Sequence, residues 1–404
     1  MPSGVLIIGG GQAGLSAAAE LRKRKYDGPV TILAAEPCPP YQRPPLSKGY
    51  LSGEVPLDRI WLKPENFFEK SDITLRTGVR VQSIDRDARE AVAEDGERYS
   101  YDHLILATGG EARRPPIPGA DLPGAHVLRT LAEADAFSKA LDTAERLAVV
   151  GAGYIGLEIA ASARKRGKEV VVFEAADRPM ARTASSLLSG WFGAIHRGYG
   201  VDLRVGAPVN RIEGEDRVEA IRSGDEAVKA DLVLLAAGLA PNCGLAEKAG
   251  LKCDDGIVVD ARARTSDPNI YAVGDCARLP LARYGRSVRL ESVQNAIDQA
   301  KAAAAEIAGA GEDYDPVPWF WSDQYELKLQ IAGLIEGADT LVRRGDPEEG
   351  KFALFHFRGE TLIACEAVNC PPEYMAAQRM IAKGINPDPA KLRDQSVAMK
   401  DFLS

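Results

Sequence analysis

The sequence predicts an α/β chain in which one strand–turn–helix–strand unit occurs twice, followed by a mixed α+β region. Two observations carry this prediction. Gly9-Gly10-Gly11-Gln12-Ala13-Gly14 follows the apolar run 5–8, and Gly151-Ala152-Gly153-Tyr154-Ile155-Gly156 follows the apolar run 147–150. Each glycine motif opens an alanine-rich helical stretch, over about 13–25 and 154–165. Each helix leads to a second strand, 30–34 and 170–173, with an acid at its end, Glu36 and Glu174.

The mechanics of such a motif are specific. The first glycine makes the turn, the second lets the backbone approach a pyrophosphate, and the third lets helix and strand pack closely. The start of the helix then offers free N–H groups and partial positive charge to phosphates. Gly9, Gly11 and Gly14 take these parts in the first motif, with Ala13 on the opening turn. Gly151, Gly153 and Gly156 take them in the second, with Tyr154 and Ile155 on the opening turn. Glu36 and Glu174 stand where a carboxylate accepts hydrogen bonds from a ribose diol. Two such sites in one chain point to two Rossmann-like dinucleotide-binding domains and to electron transfer between their ligands. Glu174 repels a 2′-phosphate, and Ala175-Ala176 after it supply no arginine to receive one, so NADH is expected there rather than NADPH.

The remaining segments extend the pattern. Residues 101–110 read as a buried strand entering a tight turn, Ala107-Thr108-Gly109, and 232–238 read the same way up to Gly238. A strand ending at Gly274-Asp275 delivers a carboxylate, and a helix over about 293–308 follows. From 316 onward the pattern changes to strands rich in Phe, Leu and Ile, then a helix around 373–383. The basic runs 22–25 and 164–166 fall near helix C-termini, where cations complement the macrodipole.

Composition narrows the class. A chain of 404 residues, 45% hydrophobic, has material for two or three domains with sizeable cores. A net charge of −8 argues against nucleic acid as a bulk partner. No apolar run reaches the ~18 residues of a membrane span, and no signal-peptide pattern precedes the first strand. Six scattered cysteines are not a disulfide scaffold. The expectation is a soluble cytoplasmic protein.

Together these segments resemble the FAD-dependent pyridine nucleotide–disulfide oxidoreductase superfamily. Within it the chain is similar to the NADH-dependent ferredoxin reductases that serve cytochromes P450 and Rieske-type oxygenases. Glu291-Ser292-Val293-Gln294-Asn295-Ala296 shares in the resemblance, and the more specific stretches are Arg43-Pro44-Pro45-Leu46-Ser47-Lys48 and Trp319-Phe320-Trp321-Ser322-Asp323-Gln324. The resemblance implies an FAD domain over 1–110 and 240–320, an NAD domain over 111–239 inserted in it, and a C-terminal domain over 321–404. It implies FAD on the first motif, with Asp275 toward the ribitol, and contacts from Arg43, Arg129, Ala107, Thr108, Gly109 and Val293. It places Lys48 beside the flavin ring and Glu158 in the nicotinamide pocket, the two forming an ion pair before NADH enters. Tyr154 covers the flavin in this picture, Trp319 is preferred to Trp321 as a ring contact, and Arg182 and Gly238 serve NAD. Alone, Lys48 reads better as a solvated loop lysine, Glu158 reads equally as a first-turn acid, and a core role fits either tryptophan nearly as well.

Cys365-x4-Cys370 has the spacing of the superfamily's relay disulfide but lies in the C-terminal domain, while Ser47 and Lys48 occupy the relay region. The pair is therefore read as structural. Electrons must then leave the flavin singly, to a [2Fe–2S] ferredoxin partner, because the chain lacks four cysteines spaced for its own cluster. Lys328, Arg343 and Arg344 are named as possible attractors of an acidic ferredoxin, against a plain solvated-face reading. A monomer or weak dimer is expected. Two other readings stay open: a peroxidase or CoA-disulfide reductase acting through Cys38, and a signalling flavoprotein.

Overall fold

The computed structural model describes residues 3–403. The elements that position the sites are, in chain order, β1 (Val5–Ile8), α1 (Gln12–Lys23), β2 (Val30–Ala34), β3 (Thr74–Thr77), β4 (His103–Leu106), β5 (Arg146–Val150) and α2 (Tyr154–Lys165). They continue with β6 (Glu169–Phe173), α3 (Ser186–Gly198), β7 (Leu232–Leu235), β8 (Ile270–Ala272) and α4 (Val293–Ile307). The last set is β9 (Trp319–Gln324), β10 (Leu327–Gly333), β11 (Thr340–Asp346), β12 (Lys351–Arg358), β13 (Thr361–Val368) and α5 (Pro371–Lys383). The chain divides into two compact units. One takes residues up to 42 with 57–111 and 240–316; the other takes 43–56, 112–239 and 317 onward. The segment 43–56, which the resemblance assigns to the FAD domain, thus groups with the second unit.

The first unit is built on a five-stranded parallel sheet in the order β8-β4-β1-β2-β3. Parallel strands covered on both faces must be apolar throughout, and all four residues of β1 are buried. Helix α1 packs on α4 through Ala17, Ala18, Ala300, Ala303 and Ala304, each fully buried. Small side chains at the contact let the two helix axes approach closely. The helix ends at Lys23, earlier than the pattern suggests, because Lys25 adopts a left-handed φ of 59°.

The second unit holds two sheets. The parallel one runs from the strand Asp202–Arg204 through β6, β5 and β7 to Ala125–His126. The antiparallel one has the order β9-β10-β13-β12-β11. Period-two alternation gives the second sheet two packed faces. On β12, Ala353, Phe355 and Phe357 join the cluster beneath α5, whereas Phe352 meets Trp191 of α3 at 5.1 Å between ring centroids. Cys365 and Cys370 lie in the α5-side cluster, both buried and not joined in a disulfide, and burial pushes both thiols up, Cys370 to about 11.

One reading of the C-terminal cations is corrected. Lys328 and Arg343 are exposed, but Arg344 is only 6% exposed. Its guanidinium pairs with Glu373 at 3.3 Å and donates to the carbonyls of Leu392, Asp394, Gln395 and Val397. It ties the C-terminal segment to β11 and has no donor left for a partner. Arg344→Met leaves Glu373 and several carbonyls unmatched. It should cost about 2–5 kcal/mol in denaturant unfolding while leaving the concentration dependence on an electron acceptor unchanged.

Candidate functional site

Each glycine motif separates into positions the protein itself requires and one it does not. In the first unit Gly9 has φ of +124°, and a Cβ there would lie 2.1 Å from Ala107 O; at Gly14 it would lie 2.0 Å from Gly9 O. In the second unit Gly151 has φ of +107° with Ala236 O at 2.4 Å, and Gly156 meets Gly151 O at 2.1 Å. These four glycines are dictated by backbone shape and packing. Gly11 and Gly153 differ. Both have ordinary negative φ, −90° and −76°, and a Cβ at either would meet nothing within 4 Å. No protein atom explains these two glycines, and each caps the start of a helix, whose first N–H groups have no partner within the helix. An anion at van der Waals distance from the backbone does explain them, so both cradles fit a dinucleotide pyrophosphate.

The acids after the second strands are held in place. Glu36 accepts from the Tyr41 hydroxyl at 2.6 Å. Glu174 accepts from the backbone N–H of Ala152, inside the second motif, at 2.7 Å and from Ala176 at 2.9 Å. The turn 107–109 is clamped by Asn242: Thr108 Oγ1 donates to its carbonyl at 2.9 Å, and its amide donates to Thr108 O at 3.0 Å. Asp275 stands in a short 3-10 turn, Gly274–Cys276, one step beyond β8. Gln299 accepts from Gly274 N at 2.9 Å, while its own buried Nε2 has no partner among the described residues. Val293 opens α4. These residues of the FAD reading gather in the first unit.

Arg43, Lys48, Arg129 and Trp319 fall in the second unit. Arg43 donates to the carbonyl of Arg129 at 2.6 Å. In the same unit Arg182 Nη2 comes within 3.6 Å of the point a Gly238 Cβ would occupy. The Tyr154 hydroxyl accepts from Thr183 at 3.1 Å, and its ring lies 4.7 Å from Phe320. Ile155 beside it is about half exposed.

The densest chemistry surrounds Glu158. Helix α2 carries it on its buried face, where only 5% of it is exposed. Lys48 Nζ lies 3.2 Å from Oε1; Ser322 Oγ donates to the same oxygen at 2.6 Å, and Ser47 Oγ donates to Oε2 at 2.7 Å. Burial pushes the Glu158 carboxyl above its ordinary range, opposed by Lys48 and the two serines. Lys48 also reaches Asp323 at 3.7 Å and sits 5.6 Å from the Trp321 ring centroid. Trp319 packs against the C-terminal core instead. Ser47, Ser322, Asp323 and Trp321 are thus members of this cluster that residue typing alone did not single out, although each lies inside a motif segment already marked.

Comparison with known proteins identifies the family. Residues 3–300 match the family described as pyridine nucleotide-disulphide oxidoreductase, and 319–403 match the family described as reductase C-terminal. Rhodocoxin reductase of Rhodococcus erythropolis is 47% identical over 399 residues, 98% of this chain and 93% of that protein. The crystal structure of the ferredoxin reductase for the CYP199A2 system of Rhodopseudomonas palustris superposes with a TM-score of 0.97 at 40% identity, covering 100% of both chains. The reductase in the covalent putidaredoxin reductase–putidaredoxin complex superposes with a TM-score of 0.96 at 37% identity, covering 99% of this chain and 98% of that one. With two glycine cradles, two fixed acids and matches that run nearly end to end, the chain belongs to the pyridine nucleotide-disulphide oxidoreductase family.

Proposed function

We propose that this protein is an NADH-dependent flavoprotein reductase that passes electrons through FAD to a [2Fe–2S] ferredoxin serving a cytochrome P450 or Rieske-type oxygenase. The observation that carries this is the near-complete match, in length and shape, to a reductase captured in a covalent complex with its redoxin, putidaredoxin. The lack of a relay disulfide supports it: the spaced pair Cys365/Cys370 is buried core. Peroxidase or CoA-disulfide chemistry through Cys38 and a purely signalling role are the lesser readings.

In this reading Gly9, Gly11, Gly14 and the start of α1 hold the FAD pyrophosphate, with Glu36 on its ribose and Asp275 on its ribitol. Gly151, Gly153, Gly156 and the start of α2 hold that of NADH, with Glu174 on the ribose diol and Arg182 on the phosphates. FAD, when bound, accepts two electrons together and releases them singly, which suits it to join a hydride donor to a one-electron carrier. Lys48 supplies positive charge where reduction builds negative charge, and Glu158 keeps that lysine aimed. We also place the reductase in the cytoplasm: six cysteines without a disulfide suit a reducing compartment.

Purified holoenzyme should reduce a [2Fe–2S] ferredoxin at the expense of NADH, and Cys38→Ser should leave the rate within about twofold, the spread of a neutral surface change. Peroxide or CoA-disulfide reduction that outpaces ferredoxin reduction and vanishes in Cys38→Ser would refute the proposal.

A further inference from the structure

Two of the inward positions of β9 are polar. Ser322 and Gln324 are 0% and 1% exposed, and polar side chains are buried this deeply only when matched. Gln324 Nε2 donates to Ser322 Oγ at 3.1 Å, and Gln324 Oε1 meets Nε2 of His196 at 2.8 Å. His196, on the last turn of α3 and fully buried, meets the Tyr325 hydroxyl through Nδ1 at 3.3 Å. Tyr325 stacks on Tyr199 with 3.7 Å between centroids and 10° between planes.

The direction of every bond in this row follows from its end. A charged Glu158 only accepts, so Ser322 must donate to it and has only its lone pairs to offer Gln324. Gln324 therefore turns its NH2 to Ser322 and its carbonyl to His196. His196 must then carry its proton on Nε2, leaving Nδ1 to accept from Tyr325. One neutral tautomer satisfies the row, and burial pushes the His196 pKa below its ordinary value, as that tautomer requires, against the raising effect of the Gln324 bond. The dipoles all point their positive ends at one carboxylate, and aligned hydrogen bonds in a low-dielectric interior polarise one another.

We propose that His196 and Gln324 are positioning residues for Glu158, the far links of a one-way hydrogen-bond chain that keeps the carboxylate charged and its Lys48 partner docked. This rests on the reading of Glu158 as part of the NADH site. The charged groups around the chain are Lys48 and Asp323 at the Glu158 end. At the other end are Arg164, which donates to the Tyr199 carbonyl at 2.9 Å and faces Tyr325, Lys165, which donates to the Tyr325 carbonyl, and Glu326, which accepts from Tyr199.

The test reads the carboxyl directly. In holoprotein labelled with 13C at the glutamate side-chain carboxyl, the Glu158 resonance is assigned by its loss in Glu158→Gln and titrated with pH. His196→Leu and Gln324→Met keep volume and remove the chain. Each should raise the midpoint by roughly 0.5 pH unit, because the Ser322 bond to Glu158 stays and only the polarisation it receives along the chain, about 10–30% of a charged hydrogen bond, is lost. The double variant should go no further than either single one, because the links act in series. His196→Gln offers a donor and an acceptor in similar places and should stay within about 0.2 units of wild type. An unmoved midpoint in both apolar variants, or an equal shift in His196→Gln, overturns the proposal. If His196→Leu does not fold, Gln324→Met alone decides, on the same criterion. The resonance reports the chain whether or not the protein reduces ferredoxin, so failure of the functional reading would show separately, in wild-type turnover.

Discussion

Gly153→Val is expected to keep its fold and lose most of its use of NADH. A Cβ at this position meets no protein atom within 4 Å, and φ of −76° suits any residue, so unfolding should change by less than about 1 kcal/mol. The same side chain would stand between the backbone and a pyrophosphate. A lost close approach of about 3 kcal/mol corresponds to a rise in the NADH KM of roughly 100-fold. Gly156→Ala is the contrasting change. Its Cβ would lie 2.1 Å from Gly151 O, a backbone atom that cannot move aside, so it should cost about 1–3 kcal/mol or more in stability. Steady-state kinetics beside denaturant unfolding separates the two. If both variants lose stability equally and NADH affinity little, the second cradle is not a nucleotide site.

Lys48→Met is the other large effect, and it has a pH signature. Burial raises the folded-state pKa of Glu158, with Lys48 foremost among the opposing groups. An acid whose pKa is raised on folding contributes stability below its unfolded value and loses it as pH rises through the folded one. Without Lys48 that loss deepens and extends to higher pH. The variant should therefore match wild type near pH 4 and fall behind as pH rises toward 8, by about 3–5 kcal/mol, the cost of a buried charge stripped of its partner. Adding Glu158→Gln should restore most of it. Unfolding curves that stay parallel across that range would show that the pair is not coupled. NADH-driven turnover should drop in Lys48→Met by about 100-fold if the cation opposes charge built up by reduction.

Much of this protein was legible before folding was considered. The strands 5–8 and 30–34 and the helix over 154–165 are read from local pattern because β–α–β units rest on short-range constraints: apolar runs, glycine turns and helix starts. The four glycines fixed by backbone shape belong to that local grammar. Arg344 and Trp319 were less legible for the opposite reason. Whether an arginine faces solvent or ties down a distant segment depends on what packs over it, and neither β11 nor its neighbours in sequence reveal the segment 392–397.

The sequence by itself therefore determined that the chain carries two glycine motifs of one kind in strand–turn–helix frames, each with an acid at the end of its second strand. Only the tertiary structure decided that Gly11 and Gly153 lack any internal reason to be glycine, and that Glu158 is buried at the end of a polar chain. Ser47 and Ser322 reach that carboxylate across 111 and 164 residues of sequence. Contacts of such separation are chosen by the packing of whole elements, and no local pattern encodes them.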